Sequence, residues 1–126
     1  LPLKKGQKLA LIGPHTQTQK DLAGNYFEDI GLGTCSGPTC VPKLGPAFDK
    51  VNGGNATVVA GCDMKCSSDS GFAAAVSAAK SADTVILALG IDGDICGEGR
   101  DRMDITLPVN PGALAASCSC LLLHWH

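Results

Sequence analysis

The 126-residue chain is the length of one domain, with 44% hydrophobic residues and a formal net charge of −2. Such a chain can bury a core, but aromatics are only 4%, so the core has to come from Val, Ile, Leu and Ala. With Lys and Arg scattered, nothing in the charge pattern suggests a nucleic-acid or membrane-surface footprint, and no apolar run approaches the roughly 20 residues that span a bilayer.

The opening "LPLKKGQKLALIGP" has no initiator Met and no signal-peptide pattern, and is expected to be the interior of a longer sequence. Within it, Lys8–Pro14 is a short apolar run stopped by Gly-Pro, which predicts a buried strand feeding a loop. The following "HTQTQKDLAGNYFEDIGLG" is polar, then glycine-rich, without a clean period. Leu44 to Gly54 predicts a short helix ended by glycines. Ala56 to Cys62, rich in β-branched residues, predicts a second strand. "SSDSGFAAAVSAAKSAD" carries the strongest helix pattern: Ser68 to Ser70 offer N-cap oxygens, and an alanine-rich body follows from Phe72 to about Ala82. Thr84 to Gly90 is apolar without alternation, as expected of a strand covered on both faces. The tail "LPVNPGALAASCSCLLLHWH" shows neither helical amphipathicity nor strand alternation, and holds the one Trp and two of the three His.

Strand, helix, strand, helix, strand implies right-handed crossovers and an α/β fold. The predicted architecture is a partial three-layer sandwich, about three parallel strands with flanking helices, flavodoxin-like in outline. Ligands of such sheets collect at the carboxyl ends of the strands. All three strands run into glycine-bearing loops there: "GPHTQTQ", "GCDMKC" and "GIDGDICGEGRDR".

The third loop holds four Asp or Glu in ten residues, Asp92 to Asp101, interrupted by Arg100 and followed by Arg102. A calcium loop would place Cys96 at its fifth position and Met103 where a bidentate Glu is needed, so that reading fails. "LIGPHTQ" lacks the dinucleotide glycine pattern, no G-x-S-x-G marks a serine nucleophile, and Cys96 beside acidic neighbours is poorly placed to become a thiolate. His15, alone in a polar loop, reads as a surface residue. Carboxylates are the remaining chemistry, since a glycosidase needs one carboxylic acid to protonate the leaving oxygen and a second carboxylate opposite it. The bland counterpart is a solvated Glu98 in a loop closed by an Asp101–Arg102 ion pair.

Seven cysteines (Cys35, Cys40, Cys62, Cys66, Cys96, Cys118 and Cys120) are many for a cytosolic protein. Their spacings do not give the paired sets of a structural zinc site. Asn55-Ala56-Thr57 is an N-glycosylation sequon. Both features favour the secretory pathway.

The order of separated motifs resembles the C-terminal α/β-sandwich domain of family 3 glycoside hydrolases, most closely the β-xylosidase and α-L-arabinofuranosidase branch. The likeness rests on Leu1–Pro14, Gly24-Asn25-Tyr26, Gly61-Cys62 with Cys66, Gly90-Ile91-Asp92 and Asp101-Arg102, and runs to about Pro108. The resemblance implies a secreted parent protein acting on β-xylosides or related plant cell-wall glycans. It implies an acid/base carboxylate in the loop and a nucleophile on a separate barrel domain that is missing from this chain, which is therefore expected to be inactive alone. In the family's loop motif the first Glu falls on Cys96 and the second on Glu98, leaving Glu98 as the candidate acid/base. Asp92, Asp101 and Arg102 are expected to contact substrate, and Cys62, Cys66, Cys35 and Cys40 to be disulfide cysteines, with the connectivity left open because seven cysteines allow many pairings. No cofactor or metal is expected. Residues 1–108 are expected to form an incomplete domain of this type, and 109–126 an atypical tail, frameshifted or mis-spliced near Val109. Other expectations are a carbohydrate ligand, no nucleic-acid or membrane partner, and self-association. The alternative is a non-catalytic carbohydrate-binding or protein-interaction module.

Overall fold

The computed structural model describes residues 3–23, 37–107 and 112–116. Its centre is a three-stranded parallel sheet of β1 (Leu9–Ile12), β2 (Ala56–Val59) and β3 (Thr84–Leu87), in the order β2-β1-β3. Leu9 stands opposite Ala56 on one side and Thr84 on the other, and the register runs without a break to Ile12, opposite Val59 and Leu87. Helices α1 (Lys20–Ala23), α2 (Leu44–Asn52) and α3 (Phe72–Ser81) complete the described elements, with short 3₁₀ turns at Pro14–Thr16 and Gly37–Cys40.

The central strand "LALI" is buried at all four positions, which is why it shows no alternation: both faces are covered. Successive strand residues face opposite sides, and the two faces take different helices. Val58 packs beneath Gly45 at the start of α2. On the other face Ala10, Ile12 and the half-buried Val59, Val85 and Leu87 meet Ala75, Ala78 and Ala79 of α3. Alanines bring α3 close to the sheet, so a core forms with few large side chains. Leu114, in a helical turn over 112–116, is fully buried in the same cluster and packs against Gly61 and Ala75.

Two local expectations change. The predicted strands extend beyond the ladders because their last residues bond across the carboxyl edge: Gly13 N–H donates to the Val59 carbonyl at 3.0 Å, and Ala88 N–H to the Ile12 carbonyl at 2.7 Å. The N-cap of α3 is Gly71, with no side-chain cap, not a serine. Gly71 lies so close to the Gly61 carbonyl that a Cβ there would overlap it, and the Ser68 hydroxyl instead accepts from Ser70 N–H at 3.2 Å.

The amino end is tied down by α2. Asn52 is 6% exposed, accepts from Gly6 N–H and donates to the Gln7 carbonyl, both at 2.9 Å. Leu1 and Pro2, Gly24-Asn25-Tyr26, Cys35, and everything from Cys118 onward lie outside the described residues, as do positions 108–111.

Candidate functional site

The strand order β2-β1-β3 puts the reversal of strand order between β1 and β3, where open α/β sheets place their ligands. The segments leaving these two strands meet there. From β1 come the Pro14–Thr16 turn and α1; from β3 comes the glycine-rich loop 90–101. His15 joins them. Its N–H donates to the Ala88 carbonyl at 3.3 Å, its ring lies against Gly90, and its Nδ1 is 3.4 Å from the Thr18 hydroxyl. The residue read as a plain surface histidine is half-buried at the root of the loop.

The loop is shaped by its own polar groups. The Asp92 carboxylate accepts from Asp94 N–H at 3.1 Å and Ile95 N–H at 3.0 Å, and the Asp92 carbonyl accepts from Cys96 N–H at 3.0 Å. Gly97 and Arg100 then exchange backbone hydrogen bonds of 3.3 and 2.9 Å. Gly99 has φ +74°, the conformation glycine supplies at the third position of a tight turn. Glu98 precedes it, exposed at the tip.

The clasp across this loop is Arg100, whose guanidinium donates to the carbonyls of Gly93 and Asp94, each at 3.1 Å. Arg102 turns to the outgoing limb and donates to the Thr106 carbonyl at 2.7 Å. Asp104 accepts from Thr106 N–H at 2.8 Å, which holds its carboxyl below the usual carboxylate range.

A cavity of about 600 Å³ opens between the loop and α1. Lys20 and Asp21 line one side, and Asp92, Cys96, Glu98 and Arg100 the other. The structure thus brings Asp92 and Glu98 to one hollow and leaves Asp101 and Arg102 outside its lining. Cys96, a free and half-buried cysteine, is among the residues that line this hollow. Sequence reading missed Lys20 and Asp21 because "QKDLAG" shows no period. Among the described residues no group of three or more His, Cys, Asp or Glu is placed to hold a metal ion.

The remaining carboxyl-edge loop, which follows β2, is closed by a disulfide between Cys62 and Cys66, with Cα atoms 4.8 Å apart. Inside it, Asp63 accepts from Ser67 N–H at 2.9 Å through its side chain and from Cys66 N–H at 2.9 Å through its carbonyl. The Ser67 N–H is the main cause that lowers the Asp63 carboxyl. Cys40 is also disulfide-bonded. Asn55 sits at the opposite, amino end of the sheet, just before β2.

Comparison with known proteins places the fold in a family. The sequence pattern described as "Glycosyl hydrolase family 3 C-terminal domain" matches residues 1–119. A probable exo-1,4-β-xylosidase of Aspergillus fumigatus is 40% identical over 110 residues, covering 87% of this chain and 13% of that protein. A β-xylosidase of Formosa agariphila is 38% identical over 111 residues, covering 85% of this chain and 15% of that protein. A family 3 exo-β-xylosidase solved with a xylobiose aziridine activity-based probe superposes with a TM-score of 0.73 at 36% identity, covering 96% of this chain and 15% of that one. The chain therefore spans a small fraction of the relatives it matches. With its parallel α/β half-sandwich and loop order, it belongs to the glycosyl hydrolase family 3 C-terminal domain family, in the xylosidase branch.

Proposed function

We propose that this chain is the acid/base-loop portion of a secreted β-xylosidase-like glycosidase acting on β-xylosides or related plant cell-wall glycans. The observation that carries the reading is Glu98, held at the tip of a glycine turn over a charged cavity at the β1/β3 switch point. An exposed carboxyl on a stapled loop suits a group that must reach a glycosidic oxygen supplied from another surface. Asp92, in the same cavity, is proposed to organise the loop and face the sugar. Asp101 and Arg102 shape the outgoing limb and meet substrate only where it extends past the cavity. Lys20 offers donors to sugar hydroxyls from the facing side.

Retaining chemistry needs two carboxyl groups about 5–5.5 Å apart, one acting as nucleophile. In the resembling family that nucleophile belongs to a separate barrel domain, so the 126-residue chain is proposed to be inactive by itself. Cys96 occupies the position of the motif's first Glu, which leaves the acid/base role to Glu98. The half-buried thiol at that place favours a second reading, a sugar-binding module without catalysis.

An aryl β-xyloside assay on the purified chain separates these readings from independent activity. No turnover is expected. Turnover abolished by Glu98→Gln would overturn the claim that the chain is inactive alone. A rise in melting temperature with xylo-oligosaccharide, without turnover, favours the binding module.

A further inference from the structure

The Asn55-Ala56-Thr57 motif takes no part in the loop site, and we propose that Asn55 is an N-glycosylation acceptor whose glycan lies over the amino-end edge of β2. This rests on the secretory reading above. Asn55 is exposed, and its Nδ2 donates to the Gly6 carbonyl at 2.8 Å. That bond uses one of the two amide hydrogens.

In the transfer, Asn55 Nδ2 bonds to C1 of an oligosaccharide carried on a lipid diphosphate. The C1–O bond breaks, the diphosphate leaves with the electron pair, and one Nδ2 proton is lost. The remaining N–H can keep its bond to Gly6, so the folded chain accommodates the sugar without giving up a contact.

The surroundings suit the product. A hollow of about 270 Å³, lined by Lys8, Asn55, Thr57 and Ser81 among others, lies beside the amide and offers polar partners to the first sugar. Thr57 is exposed on β2, an edge strand in the order β2-β1-β3, and edges are where covering groups prevent strand-to-strand association. Four residues of strand put this end roughly 13 Å from the carboxyl-edge loops, so a glycan here leaves the Glu98 cavity open. The Cys62–Cys66 bond and the disulfide-bonded Cys40 belong to an oxidising compartment, the same one in which sequons meet the transferase.

The test is to express the full chain behind a cleavable secretory leader in a eukaryotic host. Retained and secreted chains are both analysed by mass spectrometry before and after peptide-N-glycosidase treatment. The expected result is a glycan-sized mass increase that the enzyme removes, leaving Asp at position 55. It should be absent from both Asn55→Gln and the near-isosteric Thr57→Val. Unmodified Asn55 in chains that have formed Cys62–Cys66 would overturn the proposal. The leader forces entry, so that failure counts against the site alone; reduced Cys62 and Cys66 in the chain from its native source would count against the secretory reading instead.

Discussion

Single residues decide the shape of the loop. Glu98 is presented by Gly99 behind it and by Arg100, which ties the Gly93 and Asp94 carbonyls. Removing that clasp in Arg100→Ala should loosen the loop by roughly 1 kcal/mol, about fivefold faster amide exchange at Gly97 and Arg100. The melting temperature should hardly move, because these groups are exposed. Unchanged exchange would show that the turn stands without its guanidinium. Asp63 makes a pH prediction. Its carboxyl is held below the unperturbed value of about 3.9 by the Ser67 N–H. A lowered carboxylate contributes stability that is present above the unfolded value and is lost as pH falls through the folded one. The Ser67 amide resonance should therefore stay constant at neutral pH and shift only below about pH 4; a transition near pH 6 would contradict the assignment. Of these residue-scale features, Arg100 was visible in the sequence as an interruption of the acidic run. Its clasp was not, because it bonds carbonyls six and seven positions back, a contact that exists only once the turn has formed.

At the scale of elements, the central strand was legible because both its faces are buried, and the two longer helices because each covers one face of the sheet. "LALI" read as a buried strand and is buried throughout; "TVIL" read as a strand covered on both faces and is a strand whose residues are all half-buried; "FAAAVSAAKS" read as a helix. What failed was set by tertiary contact. The N-cap of α3 is a glycine because the Gly61 carbonyl occupies the space a serine side chain would need. α1 has four residues, too few to display a period. The turn over 112–116 has one buried anchor, Leu114, and a single anchor makes no pattern. That anchor is testable. Leu114 is fully buried, so Leu114→Ala should cost about 2–5 kcal/mol in denaturant unfolding. A loss under about 0.5 kcal/mol, the range of a surface substitution, would mean that the turn is not docked in solution.

For the whole molecule, the sheet has β2 and β3 as its edges, and all four residues of β3 are only half-buried. Exposed strand edges invite pairing with another chain, and we expect the unglycosylated chain to self-associate. Sedimentation should give a mass above that of one chain that rises with concentration; a monomer across the range would contradict this. The family and the fold were legible from spaced motifs, but the facing wall of the cavity was not. Lys20 and Asp21 reach it only through the β1/β3 switch point. The central claim is that Glu98 is an acid that needs a nucleophile from elsewhere. The direct measurement places this chain's segment into the A. fumigatus relative and compares Glu98→Gln with its parent on two xylosides. An alkyl xyloside needs protonation of its leaving oxygen, whereas a dinitrophenyl xyloside does not. The account expects the substitution to slow the alkyl substrate about 10²–10⁴-fold and to leave the first bond cleavage of the dinitrophenyl substrate nearly unchanged. Equal losses on both, or none on either, would contradict it.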